Sequence, residues 1–197
     1  MGREEQIIEE RKRKLKELRK NGIDPYPAKF DKKNSIEECL KAKLGSSVQT
    51  AGRLMSKRDL GKISFSDLQD QSGRIQIVLN DKGTPKKTFE FFKKYIDSGD
   101  IIGVEGKIMK TKTGAKSILV KNLVLLTKSI LPLPSKWHGL QDKEERYRKR
   151  YVDLIMNPEV KKVFEKRAKA VEAFREFLTG KGYTEVETPI LQPIYGG

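Results

Sequence analysis

From Val48 onward the hydrophobic pattern has a period of two. Val48, Thr50, Gly52 and Leu54 interleave with Gln49, Ala51, Arg53 and Met55, which predicts a half-buried strand. A loop, Lys57-Arg58-Asp59-Leu60-Gly61, leads into a second strand over 62–68, and Asp70-Gln71-Ser72-Gly73 turns the chain. A third strand over 74–79 puts Ile75, Ile77 and Leu79 on one face. Thr84-Pro85 then opens a short helix whose Phe89, Phe92 and Ile96 share a side, and Ser98-Gly99-Asp100 ends it. Strands over 101–109 and 117–126 follow, joined by Lys110-Thr111-Lys112-Thr113-Gly114.

Helical periods flank this block. Residues 3–20 carry a thin stripe of Ile7, Leu15 and Leu18, with Glu9→Arg13 and Glu10→Lys14 as expected i,i+4 pairs and a stop at Asn21-Gly22. Glutamates sit in its first turns and basic residues in its last, as the helix dipole prefers. Such a helix either rests one narrow edge on the body or serves as a basic arm that also touches a nucleic-acid backbone. Further on, the two prolines of Ile130-Leu-Pro-Leu-Pro-Ser-Lys136 predict an extended linker. Asp142 and Glu145 fit a capping box for a helix that turns Tyr147, Tyr151, Leu154 and Ile155 inward. Asn157-Pro158 starts a longer helix with Val160, Val163, Phe164, Val171, Phe174 and Leu178 on its apolar side. Gly180-Lys181-Gly182 breaks it, and 183–188 reads as a strand ending at Pro189. Two helices and one strand cannot enclose a core, so this stretch is expected to open a larger domain.

Three strands, one helix and two strands is the order of the five-stranded oligonucleotide-binding (OB) barrel, an α+β arrangement here. Another small barrel, such as an SH3-like one, has five strands too, but the helix between strands three and four favours the OB form. The expected organisation is a helix and lead-in over 1–30, a barrel over 31–130, a linker over 131–142 and the start of a second domain over 143–197.

Charge narrows the function. Of 197 residues, 42 are Lys or Arg and 27 Asp or Glu, a net charge of +15, which suggests a polyanionic partner. The single cysteine, Cys39, and single histidine, His138, exclude a disulfide framework and a zinc set. No apolar run is long enough to span a membrane, and the acidic, Arg-containing start is no signal peptide, so a cytoplasmic protein is expected.

The basic residues fall where an OB barrel binds single strands, at the face of strands two and three and the loops that border it. The first loop offers Lys57, Arg58 and Lys62, and the second region Lys107, Lys110, Lys112 and Lys116, with no acid among residues 107–116. These suit phosphates. Bases need a plane to stack on and polar groups at their edges, for which Phe65, Arg53 and Gln76 are the candidates. On periodicity alone, Phe65 between Ser64 and Ser66 fits a core position as well as a stacking one, and Gln76 fits a solvated strand position. Catalytic signals are sparse: Gly103-Val-Glu-Gly106 lies inside a strand and is no phosphate loop, His138 fits a structural role, and Glu185 and Glu187 share one side of an edge without a pocket.

Several runs carry a family resemblance. Arg19-Lys-Asn-Gly-Ile-Asp-Pro-Tyr-Pro27, Gly99-Asp-Ile-Ile-Gly-Val-Glu-Gly106 with Lys110-Thr-Lys-Thr-Gly114, and Pro134-Ser-Lys-Trp-His-Gly-Leu-Gln-Asp142 through Arg146-Tyr-Arg-Lys-Arg-Tyr-Val-Asp-Leu154 resemble the class II lysyl-tRNA synthetases. Gly182-Tyr-Thr-Glu-Val-Glu-Thr-Pro189 resembles motif 1 of class II enzymes, and Ile194-Tyr-Gly-Gly197 the segment after it. The resemblance implies that the barrel binds the anticodon of tRNA-Lys, with Phe65 stacking on its central uridine and Arg53 and Gln76 contacting bases nearby. Asn122 stands where the family commonly has a glutamate at the central base, and a neutral acceptor is weaker than a charged one. Motif 1 with Pro189 implies a two-fold homodimer, and Gly196 and Gly197 an edge of the lysine pocket. The family reaction uses ATP and Mg²⁺ to form lysyl-adenylate and then charges tRNA. Motifs 2 and 3 and the Mg²⁺ carboxylates are not within these 197 residues, so this chain alone is expected to hold neither cofactor, to carry no catalytic residue and to be inactive. A stand-alone RNA-binding OB module, or part of an aspartyl or asparaginyl enzyme, is the alternative.

Overall fold

A computed structural model describes residues 2–134, 140 and 142–190. The chain divides between Leu133 and Pro134, inside the predicted linker. In the first unit, α1 (Arg3–Lys20) and α2 (Ile36–Lys41) precede β1 (Ser47–Asp59), β2 (Ile63–Gln69) and β3 (Arg74–Asn80). Then come α3 (Lys86–Tyr95), β4 (Ile101–Lys110) and β5 (Lys116–Thr127). The strands close a barrel in the order β1-β2-β3-β5-β4, with β3 and β5 parallel and the other neighbours antiparallel. This is the OB arrangement that the element order predicts.

Alternation along the strands sends Leu54, Leu68, Ile75, Ile77, Leu79, Ile102, Ile108, Ile118 and Val120 into one core. Helix α3 adds Phe89, Phe92, Tyr95 and Ile96 to it. Each such side chain, fully buried, contributes about 1.5–3 kcal/mol. Strands cross closely enough that a Cβ on Gly52 would stand 2.5 Å from the Gln69 carbonyl oxygen, and one on Gly106 would overlap that of Leu119.

Helix α2 has no counterpart in the hydrophobic pattern, because only Ile36 and Cys39 of it are buried. Its signal is the capping box Ser35-Ile-Glu-Glu38: the Ser35 hydroxyl accepts from Glu38 N–H at 3.2 Å, and the Glu38 carboxylate from Ser35 N–H at 2.7 Å. Helix α1 falls in the same compact unit as the barrel. Its surface pairs are Glu9–Lys12, Glu10–Arg13 and Arg13–Glu17 instead of Glu9–Arg13 and Glu10–Lys14. Lys14 instead reaches Asp97 at 2.7 Å, and the buried Arg11 donates to the carbonyls of Ser98, Ser129 and Leu131. The narrow apolar edge, where Leu18 is fully enclosed, is thus reinforced by polar docking.

The second unit holds α4 (Lys143–Arg148), α5 (Arg150–Met156) and α6 (Pro158–Gly180). Asp142 caps α4 by accepting from Glu145 N–H at 2.7 Å. The enclosed Asp153 carboxylate accepts from Arg146, Arg150 and Asn157 at 2.9, 2.5 and 2.6 Å. Contrary to expectation, Tyr147 and Tyr151 point outward, each 62% exposed. The single predicted helix breaks at Lys149; α4 buries no residue and α5 buries Asp153. The apolar side of α6, including Val163, Phe164, Val171, Phe174 and Leu178, is exposed. Residues 183–188 form no strand, having no partner strand among the described residues, and Pro189 lies in this exposed coil. The readings placed on Trp137, His138, Tyr195, Gly196 and Gly197 lie outside the described residues.

Asp70 joins the β2–β3 turn to α2. It accepts from Lys32 Nζ at 2.6 Å, from the N–H groups of Ile36, Ser72 and Gly73 at 3.0, 2.7 and 3.0 Å, and from the Ser72 hydroxyl at 2.7 Å. Burial alone would raise its pKa, but these donors outweigh burial and hold it at about 2. A depressed carboxylate stabilises above its unfolded value near 4 and loses that contribution as pH falls through 2. Asp70→Asn should therefore cost about 2 kcal/mol at pH 7, and the gap from wild type should shrink between pH 4 and 2. Urea unfolding at a series of pH values checks this; a gap that stays constant across that window would contradict it.

Candidate nucleic-acid interface

Residues paired across neighbouring strands share a face, so the register sorts the barrel's outer surface into rows. One row runs Arg58, Phe65, Val78, Leu119 across β1, β2, β3 and β5. The next runs Ser56, Asp67, Gln76, Ser117, and a third Arg53, Gln69, Arg74. Phe65 thus lies on the outer face, and its neighbours Ser64 and Ser66, 0% and 2% exposed, take the interior positions. The ring has Arg58 on one side and the buried Val78 on the other, so the half-exposed Phe65 is itself the plate on which a base can stack.

A β-bulge decides which cation joins this plate. Strand β1 shifts register between Leu54 and Ser56, with Met55 as the extra residue. Strict alternation from Arg53 would put Lys57 outside and Arg58 inside; the bulge exchanges them. Strand β1 also runs on to Asp59, so Lys57 and Arg58 are strand residues and not part of a loop. Turned inward, Lys57 Nζ donates to the carbonyls of Phe92, Lys93 and Ile96 at 3.0, 3.0 and 2.7 Å and lies 4.8 Å from the Phe92 ring centre. It closes the C-terminus of α3 and does not meet phosphate. Burial lowers its pKa to about 8, Asp97 opposing the shift.

Lys116 leaves the phosphate set for the same reason. Its Nζ donates to the carbonyl of Leu40 at 2.5 Å and to that of Ala42, closing the C-terminus of α2. Arg58, Lys62, Lys107, Lys110 and Lys112 are exposed. Lys62 stands in the β1–β2 turn beside the Arg58–Phe65 row. Lys112 stands in the β4–β5 turn, which leads into β5 just before Ser117, the partner of Gln76. The two turns therefore border the same outer face at opposite ends of its strands.

Polar groups line the middle row. Gln76 Oε1 accepts from the Ser117 hydroxyl at 2.9 Å, and the Asp67 carboxylate from Arg74 at 2.6 Å and from the Ser56 hydroxyl. Arg53 donates one guanidinium N–H to the Gly99 carbonyl at 2.8 Å, and burial lowers its pKa. Asn122 is not brought to these rows. Strand β5 pairs with β3 from Ser117 to Leu119, and Asn122 lies beyond, opposite Glu105 on β4, its Oδ1 accepting from Leu123 N–H at 2.9 Å. Sequence reasoning missed Arg58 as a neighbour of Phe65, and it missed Asp67, Arg74 and Ser117 altogether. All four depend on register, which no single strand displays. The assembled groups are a stacking surface, edge-directed donors and acceptors, and solvated cations, which is an apparatus for binding.

Comparison with known proteins adds kinship to this geometry. Residues 48–126 match the family described as OB-fold nucleic acid binding domain, and residues 142–197 the family of class II tRNA synthetases (D, K and N). The chain is 50% identical over 196 residues to a lysine–tRNA ligase of Thermoanaerobacter pseudethanolicus, covering 98% of this chain and 39% of that protein. It is 47% identical over 195 residues to one of Fusobacterium nucleatum, covering 98% and 40%. With lysine–tRNA ligase 2 of Methanosarcina mazei it shares 47% identity over 190 residues, covering 93% and 37%. The chain thus spans about two fifths of the length of these curated relatives.

The two kinds of lysine should separate experimentally. Lys112→Ala should lower the slope of log affinity against log salt for a uridine oligonucleotide by about 0.7, as one lost phosphate contact on a single strand does. Lys57→Met should leave that slope unchanged. With Lys57 near 8 in the folded protein and 10.5 as its ordinary value, the native state releases this proton first. Wild type should therefore gain stability relative to Lys57→Met as pH rises from 8 to 10.5. Chemical unfolding across that range checks the sign; a falling difference would contradict it.

Proposed function

We infer that this chain, which belongs by sequence with the class II lysyl-tRNA synthetases, binds the anticodon loop of tRNA-Lys on the outer face of its barrel. The observation that carries the reading is Phe65 on the outer face beside the exposed Arg58, with Gln76 in the adjoining row. Phe65 stacks on the central uridine, Arg58 packs its guanidinium beside the same base, and Gln76 and Arg53 meet base edges. Lys62 and Lys112 meet phosphates from the bordering turns, and Lys110 from the end of β4. Phosphate contacts of this kind hold the loop in register, and base contacts select it. Asn122 is left out of the proposed base contacts, since it lies beyond the β3–β5 pairing with its Oδ1 on Leu123 N–H.

The longer relatives are lysine–tRNA ligases, and the proposal extends to that reaction in a full-length protein: ATP-dependent formation of lysyl-adenylate and transfer to tRNA in the cytoplasm. Among the described residues no three His, Cys, Asp or Glu side chains come together as a metal site, and the part proposed for these residues is to bind tRNA. No described helix is long and apolar enough to cross a membrane. The second unit, with Pro189, is assigned to a two-fold homodimer contact, a reading supported by the exposed apolar side of α6.

Truncating the plate is the direct test. Phe65→Ala should weaken binding of a UUU anticodon stem-loop by about 1–3 kcal/mol and a GGG stem-loop by clearly less, measured by fluorescence anisotropy at fixed salt. Equal losses on both loops would sink the anticodon reading.

A further inference from the structure

Behind the Gln76 amide stands a hydroxyl shut off from solvent. Ser117 is 0% exposed although it lies on the outer side of β5, opposite Gln76 in the parallel β3–β5 pair. Its Oγ is 2.9 Å from Gln76 Oε1 and 3.4 Å from the Ala115 carbonyl oxygen. A hydroxyl has one proton, and the shorter contact takes it. The start of β5 is held on both sides of this group: Lys116 Nζ is tied to the carbonyls of Leu40 and Ala42, and Thr111 N–H donates to the Ala115 carbonyl at 2.9 Å. Asp67, the other register partner of Gln76, is an acceptor when ionised and repels an amide oxygen. Both neighbours therefore favour the same orientation, with the amide oxygen toward Ser117 and the NH₂ group away from it.

We propose that Ser117 is a positioning residue that fixes Gln76 as a hydrogen-bond donor toward the bound base. The site then favours a base edge with a carbonyl, as uracil has at position 4, over one with an amino group there, as cytosine has. An unrestrained carboxamide turns over and satisfies either edge; the Ser117 hydroxyl donating to its oxygen on one side, with the Asp67 carboxylate disfavouring an oxygen on the other, restricts that freedom. The inference rests on the reading of this face as a base-binding surface.

The test uses the full chain and two stem-loop RNAs, UUU and UCU, that differ in the central base. Wild type should prefer UUU. Ser117→Ala should lower the UUU-to-UCU affinity ratio about fivefold, the weight of one neutral hydrogen bond. Ser117→Thr, which keeps the hydroxyl, should preserve the ratio, and in a Gln76→Ala background Ser117→Ala should no longer change it. Without RNA, Ser117→Ala should shift the Gln76 side-chain amide resonances in a ¹⁵N spectrum while leaving the core strands in place. An unchanged ratio in Ser117→Ala, an unmoved Gln76 amide, or the same drop in the Gln76→Ala background overturns the role of Ser117 and leaves base binding standing. Wild type with no preference for UUU overturns both.

Discussion

Three residue pairs close this barrel, and both the core and the candidate site depend on them. Gln76–Ser117, Ile77–Ile118 and Val78–Leu119 join β3 to β5 in parallel, where every other strand contact is antiparallel. The middle pair points inward and completes the apolar interior. The outer two extend the Phe65 and Gln76 rows onto a fourth strand. Without this ladder, two edges would stand open and the buried Val78 behind Phe65 would lose its neighbour Leu119. Core closure and site assembly are one event, because alternation assigns adjacent residues of a single short ladder to opposite faces.

Charge is used inside the molecule as much as outside it. Helix ends leave carbonyls without partners, and here long basic side chains reach them: Lys57 at α3, Lys116 at α2, and Lys128 at the Tyr95 carbonyl. Lys128 also meets Asp97 at 2.6 Å and the enclosed Asp100 at 2.7 Å. Arg11 and Lys14 of α1 dock around the same α3–β4 connection. Removing either partner of the enclosed Lys128–Asp100 pair would leave a buried charge, which is costlier than never having placed the pair. The net charge of +15 therefore overstates what a polyanion meets, since several of the cations are already bound to the protein's own backbone.

Most of the barrel was legible because strands and α3 obey clean periods and their turns carry Gly, Asp and Pro. What escaped was register. A single extra residue at Met55 exchanged the faces of Lys57 and Arg58, and no local pattern announces a bulge. The serines around Phe65 ran against hydrophobic expectation, with small polar groups inside and an aromatic ring outside, so periodicity alone left that ring undecided. Helix α2 escaped for the opposite reason: its capping box was visible, but its apolar face is too small to show a period. In the second unit Tyr147 and Tyr151 read as inward and are exposed, whereas the α6 positions read only as one apolar side. Direction requires something to face, and Tyr147, Tyr151 and the α6 side chains have no enclosing core among the described residues.

In the proposed binding mode the layout separates affinity from selectivity. Turn lysines ride on flexible stems and attract any phosphate chain, adding binding that salt weakens and sequence does not alter. The strand rows are held by ladder hydrogen bonds, by the Asp67–Arg74 pair and by the buried Ser117. A soft rim would let a mismatched loop approach and dock electrostatically. A stiff centre would then leave its edge groups unpaired, and an unpaired buried donor is the larger energy. Discrimination in such a site comes from what the centre refuses to accommodate, and that refusal is only as strong as the packing behind it.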